Sequence, residues 1–231
     1  MIVGNGLIAQ AFYSKYNDCK KFVIFASGVS NSRETNSKEY KRELDLILKT
    51  LEEHSDKTFV YFSTTSLHTT VNAYTAHKKD IEHYIKTNVN QYFIFRLPQV
   101  VGTKGNPNNL INFFVNKIDD GEHFKVAKDI NRSLIDIEDV YRIVDAVIRN
   151  HKPNQVLDIA HIELKKVPEI VNILENILQK RAHVTRLDSE TDCYSTNSDL
   201  IENCIKMLGI RHCNYTHSIL EKYVKYYRRN S

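Results

Sequence analysis

The placement of glycine is the sequence feature that most constrains the fold of this chain. Only seven of its 231 residues are glycine, and two of them, Gly4 and Gly6, lie within the first six residues. They belong to the stretch Gly4-Asn5-Gly6-Leu7-Ile8-Ala9, between a short apolar segment and a helical pattern. This Gly-x-Gly-x-x-Gly/Ala pattern is typical of a turn that holds a pyrophosphate at a helix N-terminus. An ordinary strand–turn–helix would also need glycines, so the motif is a weak signal by itself.

Apolar runs and helical patterns alternate along the chain. The runs from Phe22 to Ala26 and from Thr58 to Phe62 are each followed by a helical pattern. Together with the glycine turn, this alternation predicts an α/β fold, a Rossmann-like parallel sheet with helices on both faces. The expected strands are residues 1–3, 22–26, 58–62, 92–96, 134–136 and 155–160, and the expected helices are residues 7–16, 38–53, 74–87, 109–118, 137–149, 167–179 and 216–227.

No internal repeat or low-complexity linker divides the sequence, so we expect a single bilobed unit over residues 1–231. Residues 1–102 are expected to form a truncated Rossmann-like part that binds a cofactor. Residues 103–231 are expected to form mostly a small mixed substrate-binding lobe, with one sheet strand near residues 155–160.

Composition excludes several classes of protein. The chain has 32 Lys+Arg against 28 Asp+Glu, a net charge of +4, and 42% of its residues are hydrophobic, as in globular proteins. This charge is too small for a dedicated nucleic-acid binder. No apolar run approaches the roughly 18 residues of a membrane span, so we expect no membrane partner. The basic stretch from Lys222 to Arg229 is expected to be an amphipathic helix with a solvated face.

Targeting and metal-binding patterns are missing from the sequence. The N-terminus lacks a signal-peptide pattern, and the cysteines show no Cys-x-x-Cys pair, so we expect a cytoplasmic protein with free thiols. Neither His68 nor His77 shares metal-ligand spacing with another histidine or cysteine, and no metal is expected. The four cysteines are Cys19, Cys193, Cys204 and Cys213.

A tyrosine and a lysine are spaced for joint action in Tyr74-Thr75-Ala76-His77-Lys78. The i, i+4 spacing places Tyr74 and Lys78 on one face of a helix. A phenol titrates near pH 10, and a nearby ammonium lowers its pKa toward the range useful for acid–base catalysis. The same spacing is common on amphipathic helices, where it has no catalytic meaning.

Hydroxyl side chains follow a predicted strand in Phe62-Ser63-Thr64-Thr65-Ser66. The C-terminal ends of strands are where open α/β sheets bind ligands. A hydroxyl at this position could share a substrate oxygen with Tyr74. Serine and threonine also cap loops, which is the alternative interpretation.

The order and placement of these motifs resemble the extended short-chain dehydrogenase/reductases of the NAD-dependent epimerase/dehydratase type, which act on nucleotide sugars. The resemblance runs nearly end to end. It is also carried by three further segments: Phe25-Ala26-Ser27-Gly28, Phe95-Arg96-Leu97-Pro98-Gln99-Val100-Val101-Gly102, and Arg132-Ser133-Leu134-Ile135-Asp136-Ile137-Glu138-Asp139-Val140.

The resemblance implies roles for particular residues. The catalytic residues would be Thr64, Tyr74 and Lys78, with Lys78 lowering the pKa of Tyr74 and holding the nicotinamide ribose of NAD or NADP. The implied cofactor-binding residues are Gly4, Asn5, Gly6, Leu7, Ile8, Ala26, Ser27, Gly28, Tyr74, Lys78, Pro98 and Val101. The implied substrate-binding residues are Thr65, Asn109 and Arg132, of which Arg132 would bind the diphosphate. Thr65 is also the alternative to Thr64 as the catalytic threonine, should the alignment differ by one residue.

The resemblance also suggests partners and a pathway. The substrate would be a nucleotide sugar, and the pathway bacterial surface-polysaccharide synthesis. A homodimer would form through helices of the sheet domain, with Ile81, Tyr84 and Ile85 on one contributing face. The same three residues could equally belong to the core.

The chain departs from the family where the adenosine of the cofactor binds. Only Asn17 to Lys21 separate the first helix from the next strand, so the second and third strands of the usual dinucleotide-binding half are missing. The long helix carries Arg42-Glu43 in the region where the family has an asparagine. Thr65-Ser66 replaces the Asp-Glu pair of dehydratases, which argues against 4,6-dehydration and leaves a reductase or an epimerase. A degenerate member that binds a nucleotide sugar or dinucleotide without redox turnover is the alternative.

Overall fold

The computed structural model describes residues 1–103, 109–159, 162–188, 197–210 and 213–228. In chain order the strands are β1 (Ile2–Val3), β2 (Phe22–Phe25), β3 (Thr58–Thr64), β4 (Tyr92–Leu97), β5 (Gln99–Val101), β6 (Phe124–Ala127), β7 (Asn131–Asp136), β8 (Gln155–Asp158), β9 (Leu164–Lys166) and β10 (Val184–Leu187). The helices are α1 (Leu7–Tyr16), α2 (Ser37–Glu53), α3 (Ala73–Asn88), α4 (Leu110–Asp119), α5 (Ile137–Asn150), α6 (Val167–Leu178), α7 (Asp199–Met207) and α8 (Tyr215–Tyr223).

A five-stranded parallel sheet forms the centre of the molecule, in the order β1-β2-β3-β4-β8. Every residue of β2 and β3 is buried, which is expected for parallel strands that helices cover on both faces. Residues 17–21 connect α1 directly to β2 without an intervening strand. The structure therefore confirms the Rossmann-like α/β fold, shortened on the side of β1.

Side chains alternate between two cores on either side of the sheet. Ile24 of β2 belongs to the larger core, together with Phe12 of α1. Its neighbours Val23 and Phe25 point to the opposite face, where they pack with Ile47 of α2. This alternation is the two-residue period of a strand. The second core also contains Ile81 and Ile85 of α3, so these two residues are core residues in this structure.

Two smaller sheets draw most of their strands from the second half of the chain, with β5 contributed by the first half. One has the order β5-β7-β9, with β5 and β7 parallel and β7 and β9 antiparallel. The other is the parallel pair of β6 and β10. Parallel and antiparallel pairs thus occur together in these smaller sheets, unlike in the all-parallel central sheet.

Tyrosine hydroxyls of the C-terminal segment form hydrogen bonds with Asp136 and Gly102. The hydroxyl of Tyr223 donates to Asp136 Oδ1 at 2.7 Å, and that of Tyr215 accepts from the backbone N–H of Asp136 at 2.9 Å. Tyr227 accepts from the backbone N–H of Gly102 at 3.0 Å. All three rings are buried. Tyr223 and Tyr227 of the basic stretch therefore serve packing, whereas Tyr226 is 51% exposed.

Several boundaries differ from the sequence-based predictions. The strands β5, β6, β9 and β10, and the helix α7, were not predicted. The strands have only three or four residues each, too few for a clear period of two. The last predicted helix ends at Tyr223 and continues as a 3-10 turn over Val224–Tyr226. The ends of the predicted strand at residue 160 and of the basic stretch at Arg229, as well as Cys193, lie outside the described residues.

In the described part of the chain, no helix is both long and apolar enough to cross a lipid bilayer.

Gly4 provides a test of the turn between β1 and α1. Its φ is +124°, and a Cβ would lie 2.5 Å from the backbone oxygen of Ala26. We expect Gly4→Ala to lower the free energy of unfolding by about 2–4 kcal/mol, because backbone strain adds to the steric clash. Denaturant unfolding measures this loss.

Gly121→Ala is the matched control. Gly121 also has a positive φ, +65°, but a Cβ there would meet nothing within 4 Å. Its substitution should cost only the strain, about 1–2 kcal/mol. Equal losses for the two variants would show that the approach of Gly4 to Ala26 does not constrain the turn.

Candidate active site

A cleft of about 1250 Å³ opens at the C-terminal ends of the central strands. Residues that follow β2, β3 and β4 line it, as expected for a ligand site of an open parallel sheet. Of the residues singled out from the sequence, those that line the cleft are Asn5, Gly6, Leu7, Ile8, Ala26, Ser27, Gly28, Thr64, Thr65, Tyr74, Lys78, Pro98, Asn109 and Arg132.

Two of the predicted cofactor-binding residues do not line the cleft. Val101 is fully buried in the larger core, because β5 pairs with β7 and turns its side chain inward. Gly4 lies behind the cleft in the tight turn against Ala26. Neither residue therefore lines the cleft itself, and Gly4 contributes by shaping the turn before α1. Their assignment to cofactor binding stays a prediction.

The N-terminus of α1 faces the cleft without a side-chain cap. Its N-cap is Gly6, and the first turn contains no acidic residue. The helices α2 to α5, in contrast, each begin with an asparagine or aspartate side chain that accepts a backbone N–H. A Cβ at Gly6 would contact nothing within 4 Å. The packing of the protein therefore does not require glycine here, and the helix N–H groups remain accessible to an anion.

Tyr74 is placed at the start of α3 by a capping box. The side chain of Asn72 accepts the N–H of Thr75 at 2.9 Å, and the hydroxyl of Thr75 accepts the N–H of Asn72 at 3.0 Å. Asn72 also donates to the backbone oxygen of Ser32 at 3.1 Å, which ties α3 to the loop after β2. This cap points Tyr74 at the end of β3, where its hydroxyl interacts with the side chain of Thr64.

Lys78 forms a buried ion pair with a residue that the sequence reasoning did not assign. Its Nζ lies 2.9 Å from Oε1 of Glu43 on α2 and 2.9 Å from the hydroxyl of Tyr61 on β3. The side chain of Lys78 is 2% exposed, and that of Glu43 is 0% exposed. The ammonium is 5.9 Å from the centre of the Tyr74 ring. The lysine is therefore bonded to Glu43 and Tyr61, beside Tyr74.

Glu43 has a recognisable signal in the sequence. It lies four residues before Ile47, which is on the buried face of α2, and Thr50 continues that face. Helical periodicity thus places a carboxylate where an apolar residue is expected. A charged residue at such a position needs a buried partner, and Lys78 is that partner.

The pKa values follow from burial and this ion pair. Burial favours the neutral form of Glu43, but the Lys78 ammonium and hydrogen bonds from His77, Tyr61 and Val29 outweigh it and lower the pKa to about 2. Burial also lowers the pKa of Lys78, which Glu43 opposes. Burial raises the pKa of Tyr61 well above its usual value, and the charge of Glu43 adds to this effect.

The pKa of Tyr74 differs from the prediction. Lys78 was expected to lower it, but burial raises it to about 12, although the hydrogen bond with Thr64 acts in the opposite direction. The negative charge of Glu43 raises it further. The physical reason is that the Lys78 ammonium is paired with a carboxylate, so it does not stabilise a phenolate at Tyr74.

The end of β3 carries three hydroxyl groups in different surroundings. Thr64 Oγ1 accepts the backbone N–H of Ser66 at 3.1 Å and thereby caps a 3-10 helix over Thr65–His68. Thr65 Oγ1 lies 3.4 Å from the backbone oxygen of Leu97, which directs it toward β4. Ser63 Oγ is buried, has no hydrogen-bond partner among the described residues, and lies on the cleft wall. Thr64 is thus the hydroxyl directed at Tyr74.

Arg96 braces the neighbouring strands from outside the cleft. It binds Glu82 of α3 through Nε and Nη2, at 2.9 and 2.6 Å, and Asp158 of β8 through Nη1 at 3.3 Å. Asp158 also pairs with His68 at 2.7 Å. His68, in the 3-10 helix that Thr64 caps, is thus held by Asp158 of β8.

The predicted substrate-binding residues lie on the second half of the cleft wall. Asn109 caps α4 by accepting the N–H of Asn112 at 2.8 Å. Arg132 lies on β7, and its Nη1 donates to the backbone oxygen of Asn131 at 2.7 Å. Within the described ranges, no group of three or more His, Cys, Asp or Glu side chains is arranged to hold a metal ion.

Comparison with solved structures shows the fold. A dTDP-glucose 4,6-dehydratase from Bacillus anthracis in complex with NAD has a TM-score of 0.69 and 15% identity, over 97% of this chain and 78% of that one. RMD from Pseudomonas aeruginosa complexed with NADPH has a TM-score of 0.71 and 14% identity, over 97% and 86%. A UDP-glucuronic acid 4-epimerase from Bacillus cereus, in complex with UDP-glucuronic acid and NAD, has a TM-score of 0.70 and 16% identity, over 96% and 80%.

Comparison of the sequence gives a more specific result. A search of curated proteins finds no match. A model of the family described as "NAD dependent epimerase/dehydratase family" matches residues 22–160, well over half of the chain. The matched range includes Thr64, Tyr74, Lys78 and Arg132, and begins after the glycine turn. The chain therefore belongs to the NAD dependent epimerase/dehydratase family.

Proposed function

We propose that the chain is an NAD- or NADP-dependent reductase or epimerase of a nucleotide sugar, which transfers a hydride at a sugar carbon. The observation that supports this most is the convergence of three groups on one cleft: the uncapped N-terminus of α1, the Thr64–Tyr74–Lys78 cluster, and Arg132. Each group is a weak signal alone. Together they place a helix N-terminus, a phenol and a guanidinium in one cleft, the groups that an anion site, a proton donor and a diphosphate clamp would require.

The residues present fit a dinucleotide at its pyrophosphate and nicotinamide ends. Gly6 leaves the space of a side chain open in front of the α1 N-terminus, where a pyrophosphate would bind. Ser63 Oγ, buried and without a partner on the cleft wall, offers a hydrogen bond to a ligand. When bound, the nicotinamide supplies or accepts the hydride.

The residues of the chain would hold the reactants and move the proton. Tyr74 exchanges a proton with the sugar oxygen at the reacting carbon, and Thr64 donates a hydrogen bond to the same oxygen. Lys78 binds the nicotinamide ribose. Arg132 holds the diphosphate of the nucleotide sugar as a guanidinium fork, and Asn109 contacts the sugar nucleotide from the start of α4. The family resemblance also leads us to expect a place in bacterial surface-polysaccharide synthesis.

A second candidate function rests on the shortened sheet. In the doubly wound fold, strand 1 lies inside the sheet and the strands beyond it carry the adenosine site. Here β1 pairs with β2 at one end of the described sheet. A protein that binds a nucleotide sugar without redox turnover would need no adenosine site. The cofactor-binding test below distinguishes this function from catalysis.

The first experiment is direct binding of NAD(H) and NADP(H) to the purified chain, by calorimetry and reduced-cofactor fluorescence. A panel of UDP-, dTDP-, GDP- and CDP-sugars is measured beside them. Saturable cofactor binding supports the oxidoreductase or epimerase. A bound sugar nucleotide without cofactor binding supports the second function and contradicts the first.

Gly6→Ala tests whether the α1 N-terminus binds the pyrophosphate. We expect at least a tenfold loss of affinity for the reduced cofactor, because the added methyl group occupies the space in front of the helix N-terminus. Calorimetry measures the affinity, and denaturant unfolding should show a stability change below about 1 kcal/mol. Unchanged affinity would show that the cofactor does not bind at this turn.

Tyr74→Phe tests the proton-transfer role. We expect turnover to fall by about 10²–10⁴-fold, since the hydroxyl that exchanges the proton is removed. The ring is retained, so affinity for the sugar nucleotide should stay within about twofold of the wild type. Tyr84→Phe, on the same helix outside the cleft lining, is the matched control. Wild-type turnover in Tyr74→Phe would exclude Tyr74 as the catalytic acid or base.

A further inference from the structure

The carboxylate of Glu43 is saturated by four hydrogen-bond donors. Oε1 accepts from Lys78 at 2.9 Å and from the hydroxyl of Tyr61 at 2.6 Å. Oε2 accepts from the backbone N–H of Val29 at 2.7 Å and from Nε2 of His77 at 3.1 Å. An ionised carboxylate has about four lone-pair sites and no proton to donate. Since the Lys78 ammonium and the surrounding hydrogen bonds lower the pKa of Glu43 to about 2, the carboxylate is ionised, and Tyr61 and His77 then act as donors to it.

This saturation determines the state of Lys78. The Tyr61 hydroxyl donates to Glu43, so it meets Lys78 as an acceptor, and Lys78 donates to both. Two of the three ammonium N–H groups thus have partners among the described residues. Lys78 lines the cleft, so the third remains for a ligand. Gly28 covers the pair closely, since a Cβ there would lie 2.7 Å from Lys78 Nζ and 2.9 Å from Glu43 Oε1.

The pair also determines the charge that Tyr74 experiences. An isolated ammonium near the phenol would favour the phenolate, but Glu43 places a compensating negative charge 2.9 Å from that ammonium. Tyr74 is 7% exposed, and burial disfavours a phenolate as well. The local electrostatics thus favour the phenol, the form that donates a proton.

We propose, building on the function proposed above, that Glu43 is a positioning residue for Lys78. It holds Lys78 in place as an ammonium and compensates the charge of that ammonium. Tyr74 then acts as a proton donor, and the site is suited to the reduction of a carbonyl group of the sugar. Glu43 touches neither substrate nor cofactor in this arrangement. It acts through Lys78 and Tyr61.

The reaction balances in atoms and electrons. The carbonyl carbon receives a hydride from a bound reduced nicotinamide, which is thereby oxidised, and a C–H bond forms. The π electron pair of the carbonyl moves to its oxygen, which takes the proton of Tyr74 as the phenolic O–H bond breaks. The product is an alcohol. Tyr74 regains its proton from water that enters the cleft after product release.

The charged and titratable groups around Tyr74 come from three elements. In α2 they are Tyr40, Arg42 and Glu43, in α3 they are His77, Lys78 and Glu82, and in β3 the group is Tyr61. Glu82 is paired with Arg96 at 2.6 Å, so its charge is compensated within its own pair. Glu43 is thus the acidic residue whose removal changes the net charge beside Lys78 and Tyr74.

The test is a titration of the protein without cofactor or substrate. The chain is labelled with [ζ-¹³C]tyrosine, and Tyr74→Phe and Tyr61→Phe assign the two signals. In the wild type we expect Tyr74 to remain a phenol beyond pH 10, the ordinary pKa of tyrosine. In Glu43→Gln the midpoint of Tyr74 should fall by about one pH unit or more, because a neutral amide no longer raises it.

Glu53→Gln is the matched control. It removes the same charge from the exposed end of α2 and should leave the Tyr74 midpoint unchanged. Tyr61→Phe keeps the Glu43 carboxylate, so the titration midpoint of Tyr74 should stay within about half a pH unit of the wild-type value. A shift in Glu43→Gln alone therefore reports the charge and not a loss of packing.

Two results would overturn the proposal: a wild-type Tyr74 that becomes phenolate below about pH 9, or equal midpoints in Glu43→Gln and Glu53→Gln. The first needs only the wild type and the Tyr74→Phe variant that assigns its signal, so it decides even if Glu43→Gln does not fold. Because the titration contains no ligand, its failure is distinct from a failure of cofactor binding.

A pH–rate profile is the second measurement, with the keto form of the sugar nucleotide that binds most tightly. The pH at which the reduction rate declines should be lower in Glu43→Gln than in the wild type, by the same number of pH units as the Tyr74 midpoint.

Discussion

The buried ion pair of Glu43 and Lys78 joins α2, β3 and α3 at the wall of the cleft. Removing two such charges from water costs several kcal/mol per ion, and their attraction offsets this only when the remaining hydrogen-bonding capacity is satisfied. Tyr61, His77 and the backbone of Val29 satisfy it here. The geometry of each element therefore depends on the others, and the loop over Gly28 can close only because no side chain intervenes.

Much of the fold was predictable because its determinants are local. β2 is a continuous apolar run, and β3 contains the apolar run from Phe59 to Phe62. α5 begins at Ile137 directly after Asp136, a residue type that favours the N-cap. The placement of Thr64, Tyr74 and Lys78 on one cleft was also predictable, since strand ends and i, i+4 spacing determine which side chains meet. The family match over residues 22–160 agrees with the family that the sequence motifs resemble.

The remainder depended on pairings between residues distant in the sequence. Glu43 and Lys78 are 35 residues apart, and spacing alone does not show which lysine a buried carboxylate will bind. The contact of Tyr223 with Asp136 spans 87 residues, so the sequence alone could not assign Tyr223 to the interior. The direction of the Tyr74 pKa shift also depended on a residue distant in the sequence. It is determined by Glu43, the partner of Lys78, and not by the spacing of Tyr74 and Lys78.

The shortened sheet has a consequence for solubility. In the doubly wound fold the strand that corresponds to β1 has neighbours on both sides, whereas in the described part of this chain β1 pairs with β2 alone. An uncovered strand edge is a template on which other chains can add and aggregate. With only Ile2 and Val3 in strand conformation, β1 offers a foreign strand very few backbone groups. Its brevity thus protects the protein against edge-to-edge association, and lengthening β1 would weaken that protection.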